Sequence, residues 1–374
     1  MKFYLNYNCF LEILMARKVL TTRASFEVLN GTIDVIADEE TQTATFRFTD
    51  INNTVFLTYD ERREVLVLEG GRTIVQFNDI IKTAQKCKWK DGVQNYVLFD
   101  NKTVTSSLGG RWQPKQYDVL EYPEINPDPQ QERGAYTVVR VKDLVVTSVC
   151  ASKDETRREF TGVLVDETGG LCATDGHRLF HWDGAGRERG GVEWRGIISR
   201  ATIAMLGKLC DSNDPLTIQS VDDNAKVVIS TENNRPMRVI AQLINGVYPD
   251  FNAVMPKSLD NRRRIANPTD TIKRLRLEAK VVSKMGTILV RSDGEVIKAM
   301  PDGGKQSIGK LFEPAEGTGD IALNINYLAD AMQQLVDATG ADTLIWEWTD
   351  ADSPMVLRAE DTTTPTAVVM PMQW

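Results

Sequence analysis

Three times along the chain, an apolar strand end is followed by a segment of helical period and then by a strand-like alternation. The first copy reads TIVQFNDIIKTAQKCKWK, the second GIISRATIAMLGKLCDSNDPLTIQS and the third IALNINYLADAMQQLVDATGADTLIWEW. With Val75, Ile198 and Leu323 taken as equivalent, the copies stand 123 and 125 residues apart. In the third copy Leu328, Ala331, Met332, Leu335 and Val336 recur at helical spacing, which gives one apolar stripe on an otherwise polar helix. TLIWEW, just after it, alternates as a strand does. A second, weaker helix opens each third, in CFLEILMARKVL, VKDLVVTSVCAS and TDTIKRLRLEAKVVSK. The pattern predicts an α+β fold in three repeats, each with two amphipathic helices packed on short antiparallel strands.

Turn and linker residues cluster at two places. EINPDPQQERG (124–134) is polar and rich in proline, and PKSLDNRRRIANPTD (256–270) has prolines towards both ends and a block of three arginines. The expected domains are therefore 1–124, then a linker at 125–133, then 134–256 and 257–374. Each is large enough to bury a core of its own.

Composition narrows the class. The 374 residues are 42% hydrophobic and 26% charged, the balance of a folded globular chain. Cys9, Cys87, Cys150, Cys172 and Cys210 are widely spaced and form no CxxC pair, so neither a disulfide framework nor a zinc site is expected. No uncharged apolar run reaches the roughly 18 residues of a membrane helix. The opening MKFYLNYNCFLEILMARK carries Glu12 within its apolar run and lacks a small-residue cleavage site. The expectation is a cytoplasmic protein with reduced thiols and no membrane partner.

The net charge of −8 argues on average against a partner as anionic as DNA. A polyanion responds instead to where the cations lie. Arg17, Lys18, Arg23, Lys82, Lys86, Lys88 and Lys90 fall on or beside the predicted helices of the first third. Lys142, Lys153, Arg157, Arg158, Arg200 and Lys208 do so in the second, and Lys273, Arg274, Arg276, Lys280 and Lys284 in the third. Acidic residues gather in segments such as TIDVIADEETQT, SVDDN and WTDADS. Helices of all repeats facing one way would make a basic surface on an acidic particle, as in a ring with a positive bore. No base-reading motif is present, so any DNA contact is expected to be to phosphates and independent of sequence.

Five segments carry a resemblance. FTGVLVDETGGLCATDGHRLF (Phe160 to Phe180), NGVYPDFNAVMP (Asn245 to Pro256), AVVMPMQW (Ala367 to Trp374), the opening MKF and NINYLADAM (Asn324 to Met332) together resemble the bacterial DNA polymerase III beta subunit, or beta sliding clamp, family. The resemblance implies three copies of one clamp domain per subunit and two subunits closed head to tail into a ring lined by helices. It implies a peptide-binding pocket at Phe160, Thr174, Gly176, His177, Arg178, Leu179, Pro249, Val254, Pro354, Val368, Met370, Pro371 and Met372. Leu, Val, Pro and Met side chains suit such an acceptor, because methionine repacks around varied ligands. His177 and Arg178 are the groups expected to fix the peptide backbone. DNA-facing positions are Arg23, Arg157, Arg158 and Arg200. The ring joint falls at Trp112, Val281 and Val282. The implied partners are duplex DNA, a replicative DNA polymerase, a clamp loader and other proteins bearing clamp-binding motifs. The family usually has a basic residue where Asn252 and Ala253 stand, and Arg-Leu where the chain has Gln373 and Trp374, so peptide preference is expected to differ.

Enzymatic readings fare poorly. His177 and His181 stand four apart without an HExxH pattern, and the Asp-Gly before His177 predicts a turn entering a strand, where that spacing has no special metal geometry. PDGGKQS lacks the earlier glycine and the Ser/Thr of a phosphate loop. Asp350 and Asp352 form a lone DxD in a turn. The alternative is a nuclease or nucleotide-processing enzyme using Asp175, His177 and Mg²⁺. The expectation is no catalytic, cofactor-binding or metal-binding residue.

Overall fold

The computed structural model describes residues 1–20, 29, 31–50, 52–63, 65–76, 78, 80, 95–123, 135–186, 188–190, 194–221, 225–231, 237–256 and 258–374. Five α-helices lie among them: α1 (Tyr7–Val19), α2 (Val141–Thr147), α3 (Arg200–Leu209), α4 (Pro268–Glu278) and α5 (Ile325–Thr339). Each follows a strand at once or after a single residue. Val75, Ile198 and Leu323, aligned by pattern alone, are each the penultimate residue of a strand and each buried. Of the helix expected in NDIIKTAQKCKWK only Asn78 and Ile80 are described; Lys82, Lys86, Lys88 and Lys90 fall outside the described residues, as does the linker at 125–133.

The chain packs as two compact units. The first comprises Met1–Tyr136 with Ala204–Gln242. Its larger sheet runs Gln116–Tyr117, Gly71–Gln76, Thr32–Asp38, Thr43–Thr49, Asn53–Tyr59, Met237–Gln242, Lys226–Thr231 and Pro215–Val221 in hydrogen-bonded order. A strand of the middle third, Met237–Gln242, thus pairs antiparallel with Asn53–Tyr59 of the first. A second, five-stranded sheet packs its aromatic side inward, where Phe3 stacks on Phe99 at 4.6 Å with Phe46 and Phe10 edge-on to the pair.

The second unit comprises Thr137–Ile203 with Leu243–Trp374. Its eight-stranded antiparallel sheet runs Gly196–Ser199, Gly162–Val165, Leu171–Thr174, Arg178–Trp182, Thr366–Val369, Met355–Ala359, Thr343–Trp348 and Asn261–Ala266. The seam between thirds is again a strand pair, Arg178–Trp182 with Thr366–Val369. α2 and α5 cover one face of this sheet. α5 begins where the Asn324 side chain accepts from Asn326 N at 2.9 Å and Tyr327 N at 3.2 Å, and ends at Gly340, whose φ of +72° few other residues adopt. Leu328, Ala331, Met332 and Leu335 of the predicted stripe are buried, and Val336 is half-buried.

Two local expectations give way. The three-arginine block read as linker lies in the strand Asn261–Ala266, with Arg262 and Arg264 exposed and Arg263 buried. The Arg263 guanidinium sits among Phe312, Trp346 and Trp348, at 5.5, 5.2 and 5.6 Å from their ring centroids, and donates to the carbonyls of Arg291 and Ser292. Strand alternation explains this: every second side chain of a half-buried strand turns inward, whatever its charge. α2 is shorter than VKDLVVTSVCAS suggests, tightening to a 3₁₀ turn at Ser148–Cys150. Val and Thr lose side-chain freedom in a helix, which weakens the run.

Candidate functional site

Strand geometry builds the site on the sheet face opposite α2 and α5. Directly paired residues of an antiparallel sheet share a face, and neighbours along a strand alternate between faces. Ile197 pairs with Leu164, Leu164 with Cys172, Leu179 with Val368, and Val368 with Val356. Together with Tyr248 these form one apolar cluster, against which Ile244, Phe251 and Met255 pack from the following loop. That loop makes a short 3₁₀ turn, Phe251–Val254, capped by Asp250, whose carboxylate accepts from Asn252 N at 3.0 Å. It covers part of the face, and its outer residues Pro249 and Val254 stay exposed.

The expected pocket residues distribute over this face and its rim. Leu179 and Val368 are buried in the apolar floor. Phe160 is buried beside it, edge-on to Tyr248 at 6.3 Å. Thr174, Gly176 and His177 form the turn into Arg178–Trp182. Thr174 Oγ1 accepts from Gly176 N at 3.0 Å, and Gly176 has a φ of +89° that relieves the backbone there. His177 is exposed, stacks near Tyr327 and accepts from Met370 N at 2.9 Å through its carbonyl. Met370, Pro371, Met372 and Pro354 are all half-buried.

Arg178 alternates to the opposite face. Its guanidinium donates to Asp175, to Asp330 on α5 and to the Val149 carbonyl, and lies 4.7 Å over the Tyr327 ring. The side chain therefore holds the turn against α5 and does not face the apolar cluster. Arg157, expected beside DNA, is exposed with its guanidinium 4.0 Å over the Phe160 ring.

Four groups of the site were missed in the sequence. Tyr248 and Phe251 lie within the quoted NGVYPDF segment, and their aromatic character was the available signal. His181, two residues beyond Leu179 on the same face, packs against Phe251 at 4.6 Å between centroids. Burial lowers its pKa below 6.5, opposed by Asp166 and Asp183. Cys172, in the floor, has its thiol pushed well up by burial.

Arg158 is exposed and Arg200 half-buried at the start of α3; Arg23 lies outside the described residues. Arg17 points inward rather than to solvent, donating to the carbonyls of Leu20 and Leu29. α4 exposes Lys273, Arg274 and Arg276, of which Arg276 pairs with Asp330 at 2.5 Å. Val281 is half exposed just after α4 and Val282 half-buried. Trp112 is half-buried with its ring 6.2 Å from Phe10.

Asp175 is the residue a metal-dependent reading needs. One of its oxygens accepts from His177 N and Arg178 N and the other from Arg178 Nε, so the turn consumes it. Among the described residues no three His, Cys, Asp or Glu side chains gather as a metal site, and no helix is long and apolar enough to cross a membrane.

The fold is that of the sliding clamps. Bacterial DNA polymerase III beta subunits share it over the full length of the chain. The clamp of Bacillus subtilis superposes with a TM-score of 0.83 at 19% identity, covering 100% of this chain and 99% of that one. The clamp of Bartonella birtlesii, solved bound to griselimycin, gives 0.82 at 20% identity, covering 100% of both. In sequence the chain is 20% identical over 280 residues to a beta sliding clamp of Rickettsia bellii, covering 67% of this chain and 68% of the relative. No protein-family model matches. The resemblance carried by five short segments thus extends to the whole fold.

Proposed function

We propose that the chain is a DNA sliding clamp, a non-enzymatic processivity factor that encircles duplex DNA and tethers a replicative polymerase and other partners through the apolar face around Leu179 and Val368. The observation that carries this reading is the combination of a clamp fold over the full chain with an apolar cluster on one sheet face, built from the segments that resemble the family and rimmed by the exposed Pro249 and Val254. The reading includes three domains at 1–124, 134–256 and 257–374, and a head-to-tail homodimer joined through Trp112 of one subunit and Val281 and Val282 of its partner.

The mechanism is topological. Closure around the duplex prevents escape, so phosphate contacts from Arg23, Arg157, Arg158 and Arg200 need only centre the ring, and weak, salt-sensitive contacts suffice. Arg157 reaches the pocket edge as well, which makes Arg158 and Arg200 the cleaner DNA probes. With no nucleotide site in the reading, opening falls to an ATP-driven clamp loader.

The test is to incubate the protein with nicked circular plasmid, a bacterial clamp loader and ATP, and to measure its mass under native conditions. A dimer retained on circles and shed when they are linearised supports the reading. A strict monomer that never copurifies with circles defeats it. Cleavage of labelled DNA with Mg²⁺, lost on His177→Ala, would favour an enzyme instead.

A further inference from the structure

The wall formed by Met370 and Pro371 is anchored at both ends, and the far anchor lies outside the pocket. Upstream, Thr366–Val369 is hydrogen-bonded on both sides, to Arg178–Trp182 and to Met355–Ala359, and Met370 N donates to the His177 carbonyl. Residues 370–374 then leave the sheet. There Met372 N donates to the Ala322 carbonyl at 2.8 Å, the Thr287 hydroxyl lies 3.9 Å from Met372 Sδ, and the Lys305 ammonium sits 4.3 Å over the Trp374 ring. Lys305 opens the strand Lys305–Lys310, which is paired to Glu295–Ala299 and so gives the ring a fixed post.

We propose that Trp374 is a positioning residue for the peptide pocket: its contact with Lys305 tethers segment 370–374, so that Met370 and Pro371 already stand as a wall when a ligand arrives. The inference rests on the pocket reading above. The bonds from Met370 N and Met372 N hold the segment at two points, and the Trp374 contact restrains the end beyond them; whatever freedom the segment keeps must be ordered by the ligand, and that entropy is subtracted from affinity. Ordering it beforehand removes the penalty. Trp374 is 41% exposed, so the cation–π contact is a modest one and its loss should weaken binding rather than abolish it. Neither residue needs to touch the ligand.

Griselimycin, held by solved proteins of this fold, is the probe. Its affinity is measured calorimetrically on the full chain, on the rim variant Val254→Glu, and on Trp374→Ala, Trp374→Phe, Lys305→Met and the Trp374→Ala/Lys305→Met double variant. The expected result is binding by the wild type that Val254→Glu impairs, with Trp374→Ala and Lys305→Met each weakening it about twofold to fivefold. Trp374→Phe should stay within about twofold of wild type, and the double variant should be no worse than either single one, as coupling through one contact requires. Hydrogen exchange at Met372 N should quicken in Trp374→Ala. Affinity unchanged in Trp374→Ala, or single losses that add in the double variant, overturns the tether while leaving the pocket standing. No binding by the wild type, or binding indifferent to Val254→Glu, overturns the pocket reading and the tether with it.

Discussion

Arg178 and Asp330, 152 positions apart in the chain, form an ion pair that fastens the turn before Arg178–Trp182 to α5. Their side chains are 12% and 18% exposed, so neither is well hydrated and each depends on the other. The same carboxylate holds Arg276 of α4. Asp330 is thus the common acceptor of cations from two elements, and it ties the helical face of the sheet to the turn before Arg178–Trp182.

Replacing Asp330 by Ala should therefore cost about 2–3 kcal/mol, towards the lower end of what breaking a buried pair costs, because a little solvent reaches it. Asp330→Asn, which keeps a hydrogen-bond acceptor, should cost less. Denaturant unfolding of the three proteins side by side checks the order; equal stability of wild type and Asp330→Ala would show the pair to be dispensable.

His181 makes the stability of the fold depend on pH. Burial depresses its pKa in the folded chain below 6.5, so the unfolded chain takes up the proton first as pH falls. The stabilisation from keeping His181 neutral is complete above the unfolded value and is lost as pH drops through the folded one. The melting temperature of the wild type should accordingly fall further than that of His181→Gln between pH 7.5 and pH 5 (about one unit above and more than one below the ordinary value). Because the ring supports Phe251, binding at the proposed pocket should weaken over the same window. Parallel pH profiles for the two proteins would remove His181 from the account.

Arg263 sits in a cage of three aromatic rings with its pKa lowered to about 10 by burial, opposed by Asp293 and Asp320, so it remains charged at neutral pH. Arg263→Ala should destabilise by about 3–5 kcal/mol, since it opens a cavity and strips donors from two carbonyls. Arg263→Met, which refills the space without a charge to desolvate, should recover more than half of that loss. Thermal unfolding of both variants tests whether volume or charge dominates; equal losses would point to the hydrogen bonds alone.

Cys150 donates to Gln334 Oε1 at 3.3 Å, and burial pushes its thiol up to about 12. In the native protein at pH 8 it should resist iodoacetamide for hours and react once guanidinium unfolds the chain, as read by peptide mass mapping. Rapid native labelling would show that α2 and α5 part more readily than their packing implies.

The helical stripe of α5, the strand ends at Val75, Ile198 and Leu323, and the turn before Arg178 were all legible in the chain, because they arise from local periodicity and turn chemistry. The segments that build the apolar sheet face were singled out too, but only through their resemblance to a family. Which way a charged side chain faces was not. Arg17, Arg178 and Arg263 each read as solvated or ligand-facing cations, and each is held inside by partners distant in sequence: Leu29, Asp330 and the Trp346 ring. His181 likewise gained its place only when Phe251 folded over it.

The sequence by itself determined the repeat, the α+β character and where strands pass into helices, since those depend on spacing along one chain. Tertiary structure alone decided that strands from different thirds pair into common sheets, Asn53–Tyr59 with Met237–Gln242 and Arg178–Trp182 with Thr366–Val369. Backbone hydrogen bonds and alternation are indifferent to sequence distance. Which edges meet, and hence which side chains share a face, is set by packing in space.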